Sequence, residues 1–559
     1  MGGAIVEDKN VQTMSHLKNS LTDSARGYSV GFYSIALEGW RRGLTLKFIN
    51  ENRIKPLITY QLSSEKKSFR FNGAKGEKVT NEALNICKNK IQAKKYLLKA
   101  NVPTPEGKWF NKTIKNEEIV NYANSIGYPL VIKPSDGARG EGVIANIEDK
   151  NKFVKALKYV REKLGYKSVI VEKHFEGEDY RVYVVGDEVA GITKRITANV
   201  IGDGESTVGE LVKFKNNLRL KSPILNASLI KIDQDLKNML EQQDYTLNSI
   251  PQKDEVVFLK SKSNISAGGD PVDVTDELSD TIKQVAVDGV KAIPGLTHAG
   301  IDLMVNEETG EATVIEINSQ PSIRTHLFPM EGKARDIPSK LIDHYFPETK
   351  SKEKQYLLYF DIDSFWPMFR TNQIKEYQLP DLPAEKLTAI KLFITGRLEN
   401  VNYGSWIRKQ AYKYNLNGYV KFLGKNQIDV VLVGELASIE TLKGMISSNT
   451  FEDAFISNIE EKVHSKPVKI GFEIQNVKLD VKLKEGYYPV RLEGISKLRR
   501  KQISKNKIRA SANFKNRDKI KAIEEKKEIE KKYNKVITST SWRITKPLRY
   551  IRRKLNRKN

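Results

Sequence analysis

A lysine at the end of an apolar run opens the chemistry of this chain. In VIKPSDGARGEGV, residues 131–143, Lys133 is followed by a loop punctuated by Gly137, Gly140 and Gly142. Glycines let backbone N–H groups approach phosphate oxygens without interference from a Cβ atom. Lys133 adds a positive charge beside them. No G-K-[ST] follows, so this is not the Walker pattern. Lys90 and Lys94 stand at i,i+4 on a preceding helical stretch and share one face. Two apolar runs further along, HAGIDLMV and ATVIEIN, carry Asp302, Glu316 and Asn318. The i,i+2 spacing of Glu316 and Asn318 sends both to one side of a strand. Carboxylates inside apolar runs are costly unless paired or metal-bound. Three hard oxygen donors on adjacent strands suit Mg²⁺ (or Mn²⁺), which bridges carboxylates and nucleotide phosphates. Between loop and carboxylates, Glu172 ends the run SVIVE, where adenine and ribose contacts are expected after a phosphate loop. Arg181 and Arg195 follow on successive strands, with Lys194 beside Arg195.

These residues need strands and helices to hold them. Residues 1–110 mix short strand-like runs such as KPLITYQL with a helical stretch over about 83–99, stopped by Pro103 and Pro105. Over 111–348, strands PLVIKP, SVIVEKHF, RVYVVGDEVAG, THAGIDLMV and ATVIEIN alternate with helical segments, the pattern of α/β or α+β proteins. Residues 349–384, polar and carrying Pro380 and Pro383, read as a linker. A further unit, 385–482, places strands KLFITGRL, GYVKFLG, IDVVLVGE and VKIGFEI around two helices. Residues 483–559 form a basic tail with a charged helix, KIKAIEEKKEIEKKYNKV.

The 559 residues suffice for two to four domains, and 39% hydrophobic with 29% charged residues suits a globular protein with polar appendages. No apolar run approaches the roughly 18 residues of a membrane span. The first residues show neither a secretory signal nor a myristoylation pattern, so a cytoplasmic protein is expected. The single cysteine, Cys87, excludes an internal disulfide and any cysteine-built metal site. Net charge is +25, and residues 484–559 hold 26 Lys/Arg against 7 Asp/Glu, which is +19 of it. The basicity therefore belongs to the tail and bears on location rather than on catalysis.

Taken in order, a helix lysine, a strand lysine, the glycine loop, VEKHFEGEDYRVYVV, ITANVIGDGESTVGELV, GIDLM and EINSQPSIRTHLFPMEGKARDI resemble the ATP-grasp family over residues 80–348. Within it the likeness is to cyanophycin synthetases and the ATP-grasp half of bifunctional glutathione synthetases. The resemblance implies a carboxylate–amine ligase that uses ATP and Mg²⁺ and passes through an acyl-phosphate. It implies that Lys90 (or Lys94) and Lys133 bind nucleotide phosphates and that Ser135 to Gly142 cover them. It places Glu172 at the adenine hinge and Glu178 or Asp179 near the ribose. Asp302, Glu316 and Asn318 become the metal ligands. Arg195 and Arg324 grip the acyl-phosphate or a substrate carboxylate, with His326 close by. Ala138-Arg139 stands where cyanophycin synthetases have an Asn-His pair, so a different substrate is expected. A phosphotransferase that stops at phosphorylation, and a nucleotide-binding scaffold at a membrane, are the rival readings.

Residues 387–480 resemble acylphosphatases. GRLENVNYG falls on that family's phosphate loop and NLNGYVKF on its second motif, but Gly404 stands at the catalytic Arg position and Phe422 at the catalytic Asn position. An inactive copy is expected. The tail closes with STSWRITKPLRYIRRKLNRKN, which interleaves apolar and aromatic residues with basic ones and suits an anionic membrane surface. It also resembles short segments of bacterial cell-surface glycosyltransferases. The expected fold is α+β with α/β lobes: an ATP-grasp fold, a ferredoxin-like acylphosphatase-type domain and a basic helical tail. Expected partners are small carboxylate and amine substrates, an anionic membrane at its inner face or envelope-synthesis machinery, and further copies of the chain, but not nucleic acid.

Overall fold

A computed structural model describes residues 13–476, except 53, 55–56, 136, 138–140, 262, 384, 399–401, 425, 449–450 and 452–453. The basic tail expected over 483–559 lies outside the described residues, as do Ala138, Arg139 and Gly140.

The first layer is an antiparallel meander of strands Thr45–Asn50, Ile58–Ser63, Ser68–Asn72 and Lys75–Gly76, backed by helix Val30–Arg41. Alternation sends Leu46, Phe48, Tyr60 and Leu62 inward. The helix lies close on the sheet because of Gly39, where a Cβ would stand 2.6 Å from Leu62 Cδ1.

The meander is completed by residues the sequence reading assigned to a linker. Strand Glu376–Gln378 pairs antiparallel with Thr45–Asn50 along its outer edge. Leu358, Phe360, Ile362, Phe365 and Phe369 are buried in the same core as Trp40 and Phe48. Tyr33 Oη donates to the Phe360 carbonyl at 2.8 Å, and Trp40 Nε1 to the Pro380 carbonyl at 2.9 Å. Residues 349–384 are therefore a structural part of the first layer. The prolines and polar residues of that stretch mark its turns, while its apolar residues carry the packing. The boundary at 110 shifts as well: strand Gly107–Phe110 pairs with Val169–Lys173 inside the next unit.

That unit has two lobes. In one, strands Gly107–Phe110, Val169–Lys173, Leu130–Pro134 and Ile144–Ile147 form an antiparallel sheet in that spatial order. Helices Asn116–Ile126 and Lys150–Lys158 cover one face through Ile119, Ala123, Phe153 and Leu157, which meet Leu130, Ile132, Val169 and Val171. Period two then turns Lys133, Ile170 and Glu172 to the opposite face.

In the other lobe the spatial order is Asp270–Asp273, Glu188–Ile196, Glu178–Val185, His298–Val305 and Ala312–Asn318, all antiparallel. Helix Asp280–Lys291 and helices Asn81–Lys88 and Lys90–Lys99 bury one face with Val182, Val184, Ile192, Ile301, Leu303 and Val314. Asp179, Arg181, Arg195, Asp302 and Glu316 face the other way. A small appended unit, strands Asn199–Ile201 and Val256–Phe258 with helices Val208–Lys221 and Gln234–Glu241, has its own core.

The last described unit has strands Thr388–Arg397, Asn417–Phe422, Gln427–Gly434 and Phe455–Val463 in ferredoxin-like order, fourth-first-third-second. A fifth strand, Phe472–Asn476, adds in parallel to Asn417–Phe422. Helices Tyr403–Lys413 and Leu436–Ser447 cover one face.

Candidate active site

Between the two lobes lies a cleft of about 360 Å³, with Lys90, Lys94, Lys133, Glu172 and Glu316 among its walls. Its electrostatic centre is Glu172, which is 5% exposed. Lys133 Nζ lies 2.5 Å from one carboxylate oxygen and Lys94 Nζ 2.7 Å from the other. Burial alone would push the Glu172 carboxyl up; Lys133 and then Lys94 outweigh it and hold the group below the usual carboxylate value. The carboxylate runs over Gly107, where a Cβ would stand 2.4 Å from Glu172 Cγ. Glu172 is thus an anchor for two lysines as well as the penultimate residue of its strand, just before the segment expected to meet adenine.

The two helix lysines divide. Lys94 is held by Glu172 and by the Pro105 carbonyl. Lys90 donates to the Gly137 carbonyl at 3.4 Å and so reaches the glycine loop itself. In that loop the Ser135 N–H donates to the Ser168 carbonyl at 3.2 Å. Gly142 has φ +70°, and a Cβ there would meet Pro134 Cγ at 2.7 Å. Only glycine fits that turn. Gly140, expected beside them, is outside the described residues.

Across the cleft, register builds a charged row. Asp302 stands opposite Glu316 on one side and opposite Arg181 on the other, and Arg181 stands opposite Thr193. Directly opposed residues of antiparallel strands share a face, so Asp179, Arg181, Arg195, Asp302, Glu316 and Asn318 all point the same way. A bulge between Asp302 and Leu303 leaves Ile315 as the extra residue, and Ile315 lines the cleft.

Asp302 accepts from Arg181 through both oxygens, with Nη2 to Oδ2 at 3.0 Å, and lies 3.2 Å from Arg195 Nη2. Burial would raise its pKa; Arg181 and Arg195 overcome this and lower it. Arg195 also donates to Asp179 at 3.0 Å, and Asp179 accepts from Ser263 Oγ at 2.7 Å. Of the two residues expected near a ribose, the structure brings Asp179 into the row. Glu178 points to the opposite side, is exposed, and lies 3.7 Å from Lys194.

Glu316 and Asn318 are half-buried and make no side-chain hydrogen bond or ion pair among the described residues. Their oxygens are unclaimed donors on the cleft face, the chemistry a hard divalent cation requires. Asp302 differs: its carboxylate is held by two guanidiniums, and among the described residues no cluster of three acidic, histidine or cysteine side chains forms. The donor set fits a cation centred on Glu316 and Asn318, with Asp302 at its margin.

His326 and Arg324 end the row. His326 is fully buried, its Nδ1 2.9 Å from Thr193 Oγ1, and burial followed by the Arg181 and Arg335 charges pushes it down to about 3. It is a neutral structural imidazole. Arg324 is 6% exposed and its guanidinium carbon sits 4.1 Å from the centre of the Tyr28 ring. Tyr28 is the residue the sequence reading passed over, and Arg181 was named there beside Arg195 without a role. Arg181 was legible as one of two arginines alternating with Asp179, but its pairing with Asp302 needs the register.

With the geometry in place, comparison with known proteins is decisive. Residues 87–323 match the family described as ATP-grasp domain. The chain carries an ATP-grasp domain. Its cleft is the one just described, and residues 390–474 match the acylphosphatase family. The glutathione biosynthesis bifunctional protein GshAB of Pasteurella multocida is 36% identical over 279 residues, covering 47% of this chain and 36% of that one. Cyanophycin synthetase of Nostoc sp. is 34% identical over 275 residues, covering 48% of this chain and 30% of that one. The chain thus spans about a third of the length of these curated relatives. The crystal structure of a bifunctional glutathione synthetase from Pasteurella multocida superposes with a TM-score of 0.43 at 31% identity, over 52% of this chain and 40% of that one.

In the acylphosphatase-like domain, Gly404 and Phe422 are neighbours. A Cβ at Gly404 would lie 3.0 Å from Phe422 Cε2 and 3.3 Å from Val420 Cγ1. The ring of Tyr403 stacks on Trp406 at 5.5 Å nearby. The Tyr403 hydroxyl is buried without a partner among the described residues, and burial drives its pKa far up.

Proposed function

We propose that the protein is an ATP- and Mg²⁺-dependent carboxylate–amine ligase working through an acyl-phosphate. The observation that carries this reading is the opposition, across one cleft, of Lys90, Lys94 and Lys133 and the strand that bears Glu316 and Asn318, within a domain matched to the ATP-grasp family. A carboxylate is a poor acyl donor because oxide leaves poorly. One of its oxygens attacks the γ-phosphorus of ATP, the bond to the β-phosphate oxygen breaks, and ADP departs. An amine then attacks the acyl carbon, phosphate leaves with the carbon–oxygen bonding pair, and the amine's proton is lost to solvent.

Catalysis on this scheme is positioning and charge neutralisation. Lys90 and Lys133, with the Ser135–Gly142 loop, hold the phosphates, and Lys94 keeps Glu172 compensated when Lys133 engages them. Asp179 is the residue we assign to a ribose hydroxyl. Glu316 and Asn318, with Asp302, hold the cation. When bound, Mg²⁺ neutralises phosphate oxygens and orients the γ-phosphoryl group. Arg195, already anchored on Asp179 and Asp302, is preset toward the acyl-phosphate. In the acylphosphatase-like domain the contact between Gly404 and Phe422 supports an inactive copy, since it offers neither guanidinium nor amide where the family resemblance requires them.

The test is release of ADP and phosphate on incubation with ATP, Mg²⁺ and paired carboxylates and amines. Nucleotide binding without turnover on any pair would sink the ligase reading, and a stable phosphorylated product in place of an amide would favour a phosphotransferase. The setting we infer is cytoplasmic and peripheral at the inner membrane face, in bacterial envelope or polysaccharide metabolism. Its support is the aromatic and basic composition of residues 539–559. No described helix is long and apolar enough to cross a membrane. Removal of residues 483–559 should abolish binding to vesicles containing anionic lipid and leave ATP turnover unchanged.

A further inference from the structure

We infer that Arg181 is a latch on the cation site: it competes with the cation for Asp302 and yields that carboxylate when a nucleotide phosphate takes its guanidinium. This role for Arg181 rests on the cation proposed above at Glu316 and Asn318.

Register puts Asp302 between two claimants. Across the sheet the order is Arg181 on Glu178–Val185, Asp302 on His298–Val305 and Glu316 on Ala312–Asn318, directly opposed in both pairs. Side chains so opposed share a face and lie about 4.5–5.5 Å apart at Cβ. A turn of the Asp302 side chain therefore carries its carboxylate from the guanidinium toward Glu316. The structure turns it to the guanidinium. Oδ1 accepts from Arg181 Nε and lies 3.2 Å from Arg195 Nη2, and Oδ2 accepts from Arg181 Nη2 at 3.0 Å. Of the roughly four lone-pair sites on the two oxygens, three are taken, and a positive charge stands beside the fourth. A cation approaching this face meets two unclaimed donors, Glu316 and Asn318, and a third that is already neutralised.

The buried arginines differ in what else they hold. Arg219 binds Asp270 and also donates to the carbonyls of Ser228, Gly269 and Ile265. Arg335 grips both Asp273 and Asp276, and Arg195 divides between Asp302 and Asp179. Among the described residues the side-chain hydrogen bonds of Arg181 go to Asp302 alone, so nothing else fixes its guanidinium. Its side chain is 18% exposed and stands on the cleft face. Its stem has room to swing past Gly300, where a Cβ would stand 3.2 Å from Arg181 Cδ. A fork that fits a carboxylate through two N–H groups fits a phosphate as well. Parting a buried ion pair without replacement leaves uncompensated charge and is costly. An incoming phosphate avoids this by an exchange of partners: the guanidinium passes to the phosphate and the carboxylate to the cation, and every charge stays paired. Binding of cation and of nucleotide thereby becomes coupled.

The experiment is titration of the full chain with Mn²⁺, followed by water-proton relaxation, with and without a non-hydrolysable ATP analogue. Without nucleotide, Arg181→Gln should bind Mn²⁺ about tenfold more tightly than wild type, because Asp302 is then free to turn. The gain should vanish when Arg181→Gln is combined with Asp302→Asn and compared with Asp302→Asn alone. Removal of a positive charge by itself would give the same gain in both backgrounds, and removal of a merely structural arginine would lower the affinity. Arg181→Lys, which keeps the charge and loses the fork, should show a smaller gain of the same sign. It decides the matter if circular dichroism shows Arg181→Gln unfolded. A saturating analogue should narrow the gap between wild type and Arg181→Gln, since its phosphates draw the guanidinium away. No gain in either Arg181 variant, an equal gain in both Asp302 backgrounds, or a gap the analogue leaves unchanged would overturn the latch. Glu316→Gln should abolish Mn²⁺ binding; binding retained there would defeat the cation assignment and the latch with it. Failure of wild type to bind the analogue would instead defeat the ligase reading, while the nucleotide-free comparison still decides the latch.

Discussion

The ATP-grasp domain and the acylphosphatase-like domain both belong to families that handle phosphate, and they treat charge in opposite ways. In the first, every buried carboxylate on the cleft walls meets a cation: Glu172 meets Lys133 and Lys94, and Asp302 meets Arg181 and Arg195. In the second, the positions assigned to a cation and an amide hold Gly404 and Phe422, packed against one another beside an aromatic stack. The backbone order of a fold survives such a replacement because its strands pair through main-chain groups and its core lies on the helix side. On the proposal of an inactive copy the chemistry is lost, because an anion needs donors where the ring now sits.

The comparison can be broken or sharpened by experiment. The largest expected effect is that of Lys133→Met, which removes the cation paired with Glu172 and proposed to hold the phosphates. Turnover, followed as ADP release, should fall about 10²–10³-fold, the scale of losing one preorganised electrostatic partner. Glu316→Gln should fall comparably, with an unchanged circular-dichroism spectrum. Asp302→Asn comes next. It leaves Arg181 and Arg195 without their anion, and chemical unfolding should show a loss of about 3 kcal/mol. Because the folded Asp302 carboxyl is depressed below its ordinary 3.8, its stabilisation is complete above that value and is lost as pH falls toward the folded one. The variant should lack that part of the acid response.

A smaller effect distinguishes the buried histidines. His298, fully buried between Tyr183 and Tyr345, is pushed down to about 3 by burial and then by His344 and Lys75. The unfolded chain takes up a proton below about 6.5 while the folded one does not. The neutral form therefore stabilises the fold fully above that pH and progressively less down to about 3. Urea unfolding between pH 7.5 and 5 should show a slope shallower by up to about 1.4 kcal/mol per pH unit in His298→Gln than in the wild type. An unchanged slope would show that the imidazole is solvated. In the other domain, Gly404→Arg forces a side chain against Phe422. It should cost about 1–3 kcal/mol of stability and yield no acyl-phosphate hydrolysis. Measurable hydrolysis by the wild-type chain would overturn the reading of an inactive copy.

Much of this site could be read from residue order. Period-two alternation in RVYVV, GIDLM and ATVIEIN assigns one face to the core and one to chemistry, and the cleft obeys it down to Glu316 and Asn318 sharing a side. Lys133 could be placed for the same reason. What could not be read was which strands adjoin. Arg181 and Arg195 looked alike until register set Arg181 opposite Asp302, and Glu178 and Asp179 were equivalent until the strand's two faces were told apart. Tyr28 lies almost 300 residues from Arg324, beyond the reach of any local pattern. The stretch FDIDSFWPMF was overshadowed by its flanking prolines, although five of its ten residues are phenylalanine, tryptophan or isoleucine, the content of a core.

The closure of the first sheet by Glu376–Gln378 has a consequence for biosynthesis. Its neighbour, Thr45–Asn50, leaves the ribosome more than 300 residues earlier. Throughout that interval the nascent chain carries an open strand edge and a half-built pocket around Trp40 and Phe48, awaiting Phe360 and Phe365. A strand made early is thus sealed late. A recombinant fragment that stops at residue 348 freezes the molecule at this unsealed stage, and its exposed edge invites the intermolecular pairing that the completed chain forecloses.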